Sequence, residues 1–247
     1  MTPEEQARVV IDQKLQQSGW VIQDMKRLNL SVSIGVAVRE FPTSTGEVDY
    51  ALFVEGAPIG VIEAKRSETG ENITVVEGQS VRYAGSTLKY IHQDYTIRFA
   101  YEATDKLVRF TDYKDIKFRS RTVFSFHRPE TLKALLTARD TIRNNMKHFP
   151  ALDDTGFRQC QINAIHNLDI SFANNHPKAL VQMATGAGKT FTAITAAYRL
   201  LKYGKINRIL FLVDTKSLGE QAEREFMAYT PNDHPRSFSQ LYGVRPL

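Results

Sequence analysis

Cysteine is nearly missing from this 247-residue sequence, with Cys160 standing alone. One thiol excludes an internal disulfide framework and any zinc site built from clustered cysteines. It fits a reducing compartment. Long apolar runs are missing as well. The longest, such as 209–213, fall far short of the roughly 20 residues that a membrane-spanning helix needs, so no membrane partner is expected. Residues 1–17 are polar and charged and carry no signal-peptide pattern. Internal repeats and low-complexity stretches are absent too. No strong charge of one sign dominates: 32 Lys and Arg against 27 Asp and Glu give a formal +5. That mild excess suits a polyanionic partner without specifying one. What is present, 42% hydrophobic and 24% charged residues, is the composition of a globular chain long enough for one or two domains.

Two patterns follow one another. Thr2 and Pro3 open a helix whose apolar stripe is Ala7, Val10, Ile11 and Leu15, ending near Gly19. Segment 20–27 is ambiguous, and 32–41 alternates weakly. Segments 48–54 and 59–64 predict strands around a turn at 55–58. A helix over 74–88 is expected, then strands 95–103 and 107–113 around Thr104, Asp105 and Lys106, and a helix opened by Pro129. Polar, irregular 139–155 marks a boundary, placed between domains 1–147 and 148–247. Beyond it the expected order is helix 159–172, strand 179–183, helix 190–203, strand 208–213 and helix 218–229. Strands alternating with helices imply a parallel sheet.

Within the first domain, Asp49, Glu63 and Lys65 form a constellation. A hairpin centred on Gly56 sets Asp49 opposite Glu63, and cross-strand partners share a face. Lys65, two residues on, shares it too. Two carboxylates supply the hard oxygens that magnesium prefers, and an ammonium beside them can stabilise developing phosphoryl charge. Gln79 and Tyr83 lie four residues apart and so share a helix face, from which they could steady DNA or the lysine. Glu4 lies in the apolar stripe of the first helix, where an inward carboxylate needs a partner. Finally, the run 113–128 interleaves Lys114, Lys117, Arg119, Arg121 and Arg128 with Phe118, Phe124 and Phe126, a pattern that suits either a nucleic-acid backbone or an ordinary strand with a basic face.

In the second domain, Ala184, Thr185, Gly186, Ala187, Gly188, Lys189 and Thr190 stand between an expected strand and an expected helix. Glycines let the backbone wrap a phosphate, and the helix N-terminus offers free N–H groups. Lys189 reaches the outer phosphates, and the Thr190 hydroxyl suits magnesium. Met183 stands where the general phosphate-loop pattern has a first Gly.

These motifs carry resemblances. Asp49 with Glu63, Ala64 and Lys65, followed by Gln79 and Tyr83, resembles the PD-(D/E)xK nucleases and their Q-x-x-x-Y subgroup. There the first helix often adds an acid, for which Glu4 is the candidate. The phosphate loop resembles that of superfamily 2 helicases and translocases, as does Phe157-Arg158-Gln159-Cys160-Gln161 before it. That resemblance makes Gln161 the reader of adenine. Segment 208–222 resembles their next motif, a strand and loop that touch the DNA backbone, with Thr215 where the type I relatives usually carry Arg. Nuclease before motor resembles the R (restriction, HsdR-type) subunit of type I restriction–modification enzymes over nearly the whole chain, Glu4 through Gln221. The resemblance implies an α/β fold: a PD-(D/E)xK core with a mixed sheet, then a partial RecA-like parallel motor lobe. It implies an ATP-dependent DNA endonuclease using Mg2+ at Asp49 and Glu63, and ATP with Mg2+ at Thr190. It further implies double-stranded DNA, methylation (M) and specificity (S) subunits as partners, and a bacterial or archaeal cytoplasm. With no Asp-Glu pair after Lys189, this stretch is expected to bind ATP without turning it over and to be part of a longer polypeptide. The alternative is a superfamily 2 translocase whose front domain binds DNA without cutting it.

Overall fold

A computed structural model of the chain describes residues 3–44, 46–65 and 95–246, the side chains of 3–6 excepted. It divides into two compact units, Met1–Arg139 and Asp140–Leu247. The division falls ahead of the expected 147/148. Thr141 caps the short helix that follows, accepting from Asn144 N, and the 3-10 turn Met146–His148 packs on the first long helix of the second unit.

The first unit is a seven-stranded mixed sheet whose strands lie in chain order. They are β1 (Val21–Asp24), β2 (Gly35–Thr43), β3 (Gly46–Val54), β4 (Ala57–Ala64), β5 (Phe99–Ala103), β6 (Val108–Asp112) and β7 (Arg121–Val123). The β1–β2 and β4–β5 pairs are parallel, and the other neighbours are antiparallel. Segment 20–27, ambiguous by its local pattern, becomes a strand because β2 gives it a ladder. Trp20 is buried just before it, with its indole Nε1 donating to the His127 carbonyl at 2.9 Å.

Two helices, α1 (Pro3–Gln17) and α2 (Pro129–Thr137), cover one face of the sheet. Ile11 and Leu15 of α1 and Leu132 of α2 are fully buried against Tyr50, Leu52, Ile62, Phe99 and Tyr101. Burying each such aliphatic side chain contributes about 1.5–3 kcal/mol. Strand alternation sends Ala51, Phe53, Val61 and Ala100 to the opposite face, into a second cluster with Val36, Val38 and Phe41. A buried bidentate pair, Arg98 to Asp112 at 2.8 and 2.7 Å, ties the start of β5 to the end of β6, and Arg98 Nη1 also donates to the Leu135 carbonyl of α2. The strand expected from 95 begins only at Phe99.

The β3–β4 hairpin turns through Glu55 and Gly56, both at positive φ (50° and 81°), as a two-residue type I′ turn requires. Val54 pairs with Ala57 and Phe53 with Pro58, but Leu52 pairs with Gly60. One extra residue, Ile59, has entered β4 as a bulge. The turn is therefore tighter than the expected 55–58, and the bulge shifts the register so that Tyr50 meets Ile62. One further step sets Asp49 opposite Glu63, the pairing that the sequence suggested from a different turn centre. Without the bulge, Asp49 would face Ile62.

The second unit contains α3 (Ile142–Asn145), α4 (Gln159–Ala173), α5 (Lys189–Lys202), α6 (Lys216–Ala228) and α7 (Phe238–Leu241). Ile194, Ala197 and Tyr198 of α5 pack with Phe226, Tyr229 and Phe238. Arg199 reaches back to Asp169 on α4 at 2.7 Å and to the Pro150 carbonyl at 2.7 Å. The three long helices arise where helical periodicity placed them. The two expected strands do not form: 179–183 and 208–213 pair with nothing as strands, and among the described residues this unit has no strand. Leu180, Leu210 and Leu212 stand 96%, 54% and 77% exposed. A strand is stable only against partners that take its N–H and C=O groups, so apolar sequence alone cannot make one.

Candidate functional site

The candidate nuclease site lies where β3 and β4 run toward β5. Oδ2 of Asp49 accepts the backbone N–H of Ala64 at 2.9 Å, which fixes the carboxylate beside the Glu63–Lys65 segment. Lys65 Nζ stands 3.9 Å from Glu63 Oε2. All three side chains are mostly shielded, at 16%, 17% and 21% exposure. Lys65 N continues the ladder by donating to the Ala103 carbonyl at 2.7 Å. The structure thus gathers Asp49, Glu63 and Lys65. Gln79 and Tyr83, with the helix expected over 74–88, lie outside the described residues. Glu4 falls in α1, and its side chain is likewise outside them.

Sequence reasoning missed two residues here. Arg8, one helical turn beyond Glu4, sends Nη2 to Asp49 Oδ1 at 2.6 Å and Nη1 to Glu40 at 2.9 Å. The next turn of α1 brings Asp12 to Arg39 at 2.6 Å and to the Tyr50 hydroxyl at 2.8 Å. One polar edge of α1 is therefore pinned over β2 and β3. A cation four residues from a candidate acid was the only available hint. The second is Glu102, 6% exposed, which pairs in register with Glu63 across the parallel β4–β5 ladder. Ser120 donates to it at 3.4 Å and accepts from Arg109 at 3.0 Å. No sequence signal reveals that β4 and β5 are neighbours.

The donor set tests the fit of a hard divalent cation. Asp49 and Glu63 offer carboxylate oxygens at the rim of a shielded patch, with a lysine beside them, which suits an ion that keeps several waters. Among the described residues no group of three His, Cys, Asp or Glu is close enough to enclose an ion, so the fit is to two protein ligands.

In the second unit the loop 184–190 precedes α5. Gly186 and Gly188 both adopt left-handed backbone, at φ 76° and 84°. Gly188 is the residue at which α5 begins. The helix N-terminus consequently opens onto the loop, where free N–H groups favour an anion. Thr185, Gly186 and Lys189 are exposed, while Ala187, Gly188 and Thr190 are half-buried. Lys189 Nζ folds back onto the Ala184 carbonyl at 3.2 Å.

Gln161, assigned to adenine by resemblance, is 6% exposed and bonded at both ends of its amide. Its Oε1 accepts from Arg158 N at 3.0 Å, and its Nε2 donates to the Ala187 carbonyl at 3.0 Å. Arg158 Nη1 donates to the Gly186 carbonyl at 2.6 Å. In this structure the pair braces the loop from α4. Each end of an amide has a second hydrogen-bonding position, so the brace still leaves valence toward a base.

Residues 154–243 match the family described as the type III restriction enzyme res subunit. Residues 32–106, which include Asp49, Glu63, Lys65, Gln79 and Tyr83, match the second domain of the type I restriction enzyme EcoKI endonuclease subunit. The EcoKI endonuclease subunit of Escherichia coli K12 is 29% identical across 99% of this chain, which corresponds to 25% of that subunit. The SauCOLORF180P endonuclease subunit of Staphylococcus aureus COL is 26% identical over 83% of this chain and 23% of its own length. A solved fragment from Vibrio vulnificus YJ016, assigned as an HsdR subunit of a type I restriction enzyme, aligns over 84% of this chain and 39% of its own at 20% identity and a TM-score of 0.39. The chain spans about a quarter of the length of these curated relatives. With one match over the carboxylate hairpin, another over the phosphate loop, and a relative aligned along 99% of its length, the chain is similar to the endonuclease (R) subunits of type I restriction enzymes.

Proposed function

We propose that the first unit is a metal-dependent DNA endonuclease domain and that the second is the opening part of an ATP-driven translocation motor. Both would serve a type I restriction complex with M and S subunits, acting on double-stranded DNA in a bacterial or archaeal cytoplasm. The observation that carries the nuclease reading is the tether from Asp49 to Ala64 N, which holds one carboxylate beside Glu63 and Lys65. Among the described residues no helix is long and apolar enough to cross a membrane.

In this reading Asp49 and Glu63 hold Mg2+, which when bound polarises the phosphodiester and lowers the pKa of attacking water. Asp49 is positioned through Ala64 N, and Arg8 keeps its other oxygen turned toward α1. Lys65 supplies positive charge where the pentavalent oxygens develop. Its removal costs a few kcal/mol of barrier, or about a hundredfold or more in rate. Gln79, Tyr83 and Glu4 are assigned supporting roles, orienting DNA or the lysine. In the motor, Gly186, Ala187 and Gly188 present backbone N–H groups to phosphate with Thr185, Lys189 neutralises the outer phosphates, Thr190 is the magnesium ligand, and Gln161 reads the base.

The test is a paired assay on the intact enzyme, nicking of circular DNA beside phosphate release from ATP. Asp49→Ala, Glu63→Ala and Lys65→Ala should each abolish cutting and leave ATP hydrolysis in place, because the two chemistries sit in separate units. Lys189→Ala should stop both. Near wild-type cutting by Glu63→Ala would overturn the nuclease reading and leave a front domain that only binds DNA.

A further inference from the structure

Both carboxylates of the candidate nuclease site already hold a cation from the chain itself. Lys65 Nζ stands 3.9 Å from Glu63 Oε2, and Arg8 Nη2 stands 2.6 Å from Asp49 Oδ1. The two cations differ in origin. Lys65 belongs to the segment that carries Glu63, whereas Arg8 comes from α1, 41 residues from Asp49 in sequence. Asp49 Oδ2 is committed to the backbone N–H of Ala64 at 2.9 Å. Each oxygen of Asp49 thus has a partner, and the shorter bond is the charge-assisted one. A divalent cation that uses Asp49 meets a guanidinium on the same carboxylate. The two positive charges repel, whichever oxygen the metal takes.

Glu40 offers Arg8 a second seat. Arg8 Nη1 donates to Glu40 Oε1 at 2.9 Å while Nη2 holds Asp49, so the planar guanidinium spans two acids at once. Glu40 lies between the ladder pairs Arg39–Tyr50 and Phe41–Val48, across from Asp49. Its backbone has φ 49°, inside the nine-residue strand β2. Left-handed backbone is costly for a residue with a side chain and persists only where the surroundings hold it. The Glu40 side chain is 63% exposed, against 16% for Asp49. A guanidinium that moves outward onto Glu40 therefore stays paired and solvated.

We propose that Arg8 is a displaceable stand-in for the metal at Asp49. A divalent cation loads the site by driving the guanidinium off Asp49 and onto Glu40, so Arg8 sets the metal concentration at which the site fills. Through one arginine, α1 keeps the site compensated until enough metal is present. This deepens the nuclease reading and rests on it for Asp49 and Glu63 as the metal ligands.

The test is binding of Mn2+ alone to the 247-residue chain by titration calorimetry, with E63Q marking metal that binds elsewhere. R8Q should bind Mn2+ about tenfold more tightly than wild type, because loading no longer breaks a charge-assisted hydrogen bond. R8K keeps a point charge that cannot span both acids, and should fall between the two. E40Q removes the second seat. It should weaken binding about threefold beside Arg8 and not at all beside R8Q, since Glu40 acts through Arg8. Neither Arg8 nor Glu40 is buried, so these variants should fold, which circular dichroism checks. Unchanged or weaker binding by R8Q, with binding lost in E63Q, would overturn the role of Arg8 and leave the nuclease reading standing. An E40Q effect of equal size in both backgrounds would overturn the transfer to Glu40. If wild type and R8Q bind no more Mn2+ than E63Q does, the metal site itself fails and the role of Arg8 falls with it.

Discussion

The two units received the same kind of apolar segments and used them differently. In the first, 48–54 and 59–64 found partners, and seven strands close over two hydrophobic faces. In the second, 179–183 and 208–213 are as apolar as those strands yet remain unpaired and largely exposed, although helices α4, α5 and α6 form around them. The difference is one of locality. A helix satisfies its backbone within the segment, whereas a strand depends on another stretch of chain. The phosphate loop is shaped by its own glycines and by the brace from α4.

The largest effect is expected from hollowing out the complete sheet. Phe99→Ala removes a fully buried ring from the middle of the first unit and should cost about 3–5 kcal/mol, read by chemical denaturation of that unit. A loss below 1 kcal/mol would mean that the sheet does not hold the unit together.

Acid should also act on the first unit. His127 is pushed down to about 4, by burial first and by Arg121 next. Its Nδ1 lies 2.7 Å from the Tyr101 hydroxyl, with the indole of Trp20 on its carbonyl. The native state therefore binds fewer protons than the unfolded chain, whose histidine titrates near 6.5. Stability from this site is full above pH 6.5, declines as pH falls toward 4, and is flat below that, a loss of up to ~3 kcal/mol. His127→Gln should remove that slope. A wild-type unit equally stable at pH 7 and 4.5 would show that the ring is accessible to protons.

A smaller effect belongs to the phosphate loop. At Gly188 a Cβ would meet Gln161 Nε2 at 2.3 Å, on backbone at φ 84°. Gly188→Ala should therefore break the brace and cost about 1–2 kcal/mol, with nucleotide binding by fluorescent ATP lost along with it. Retained binding would mean that the loop adapts without its α4 support.

The smallest effect is the sharpest contrast. Leu212→Ala or Leu180→Ala should change the stability of this chain by no more than about 0.5 kcal/mol, because neither side chain is buried. A loss of several kcal/mol would show that these segments pack as strands after all.

Local sequence dictates the helices, since α1, α4, α5 and α6 follow apolar periodicity and start signals contained in their own residues. It also determined the loop over Gly186 and Gly188, whose conformation needs glycine at those positions. It named Asp49, Glu63 and Lys65 because a hairpin is the most local of sheet contacts. Tertiary structure decided the rest. The Ile59 bulge, invisible in the residue pattern, sets Asp49 opposite Glu63. The parallel β4–β5 pairing brings Glu102 beside them, and the docking of α1 brings Arg8 to Asp49. Folding alone decided which cations of 113–128 were consumed and which were left to solvent. Each of these joins residues far apart in the chain, and only packing determines which distant segments meet.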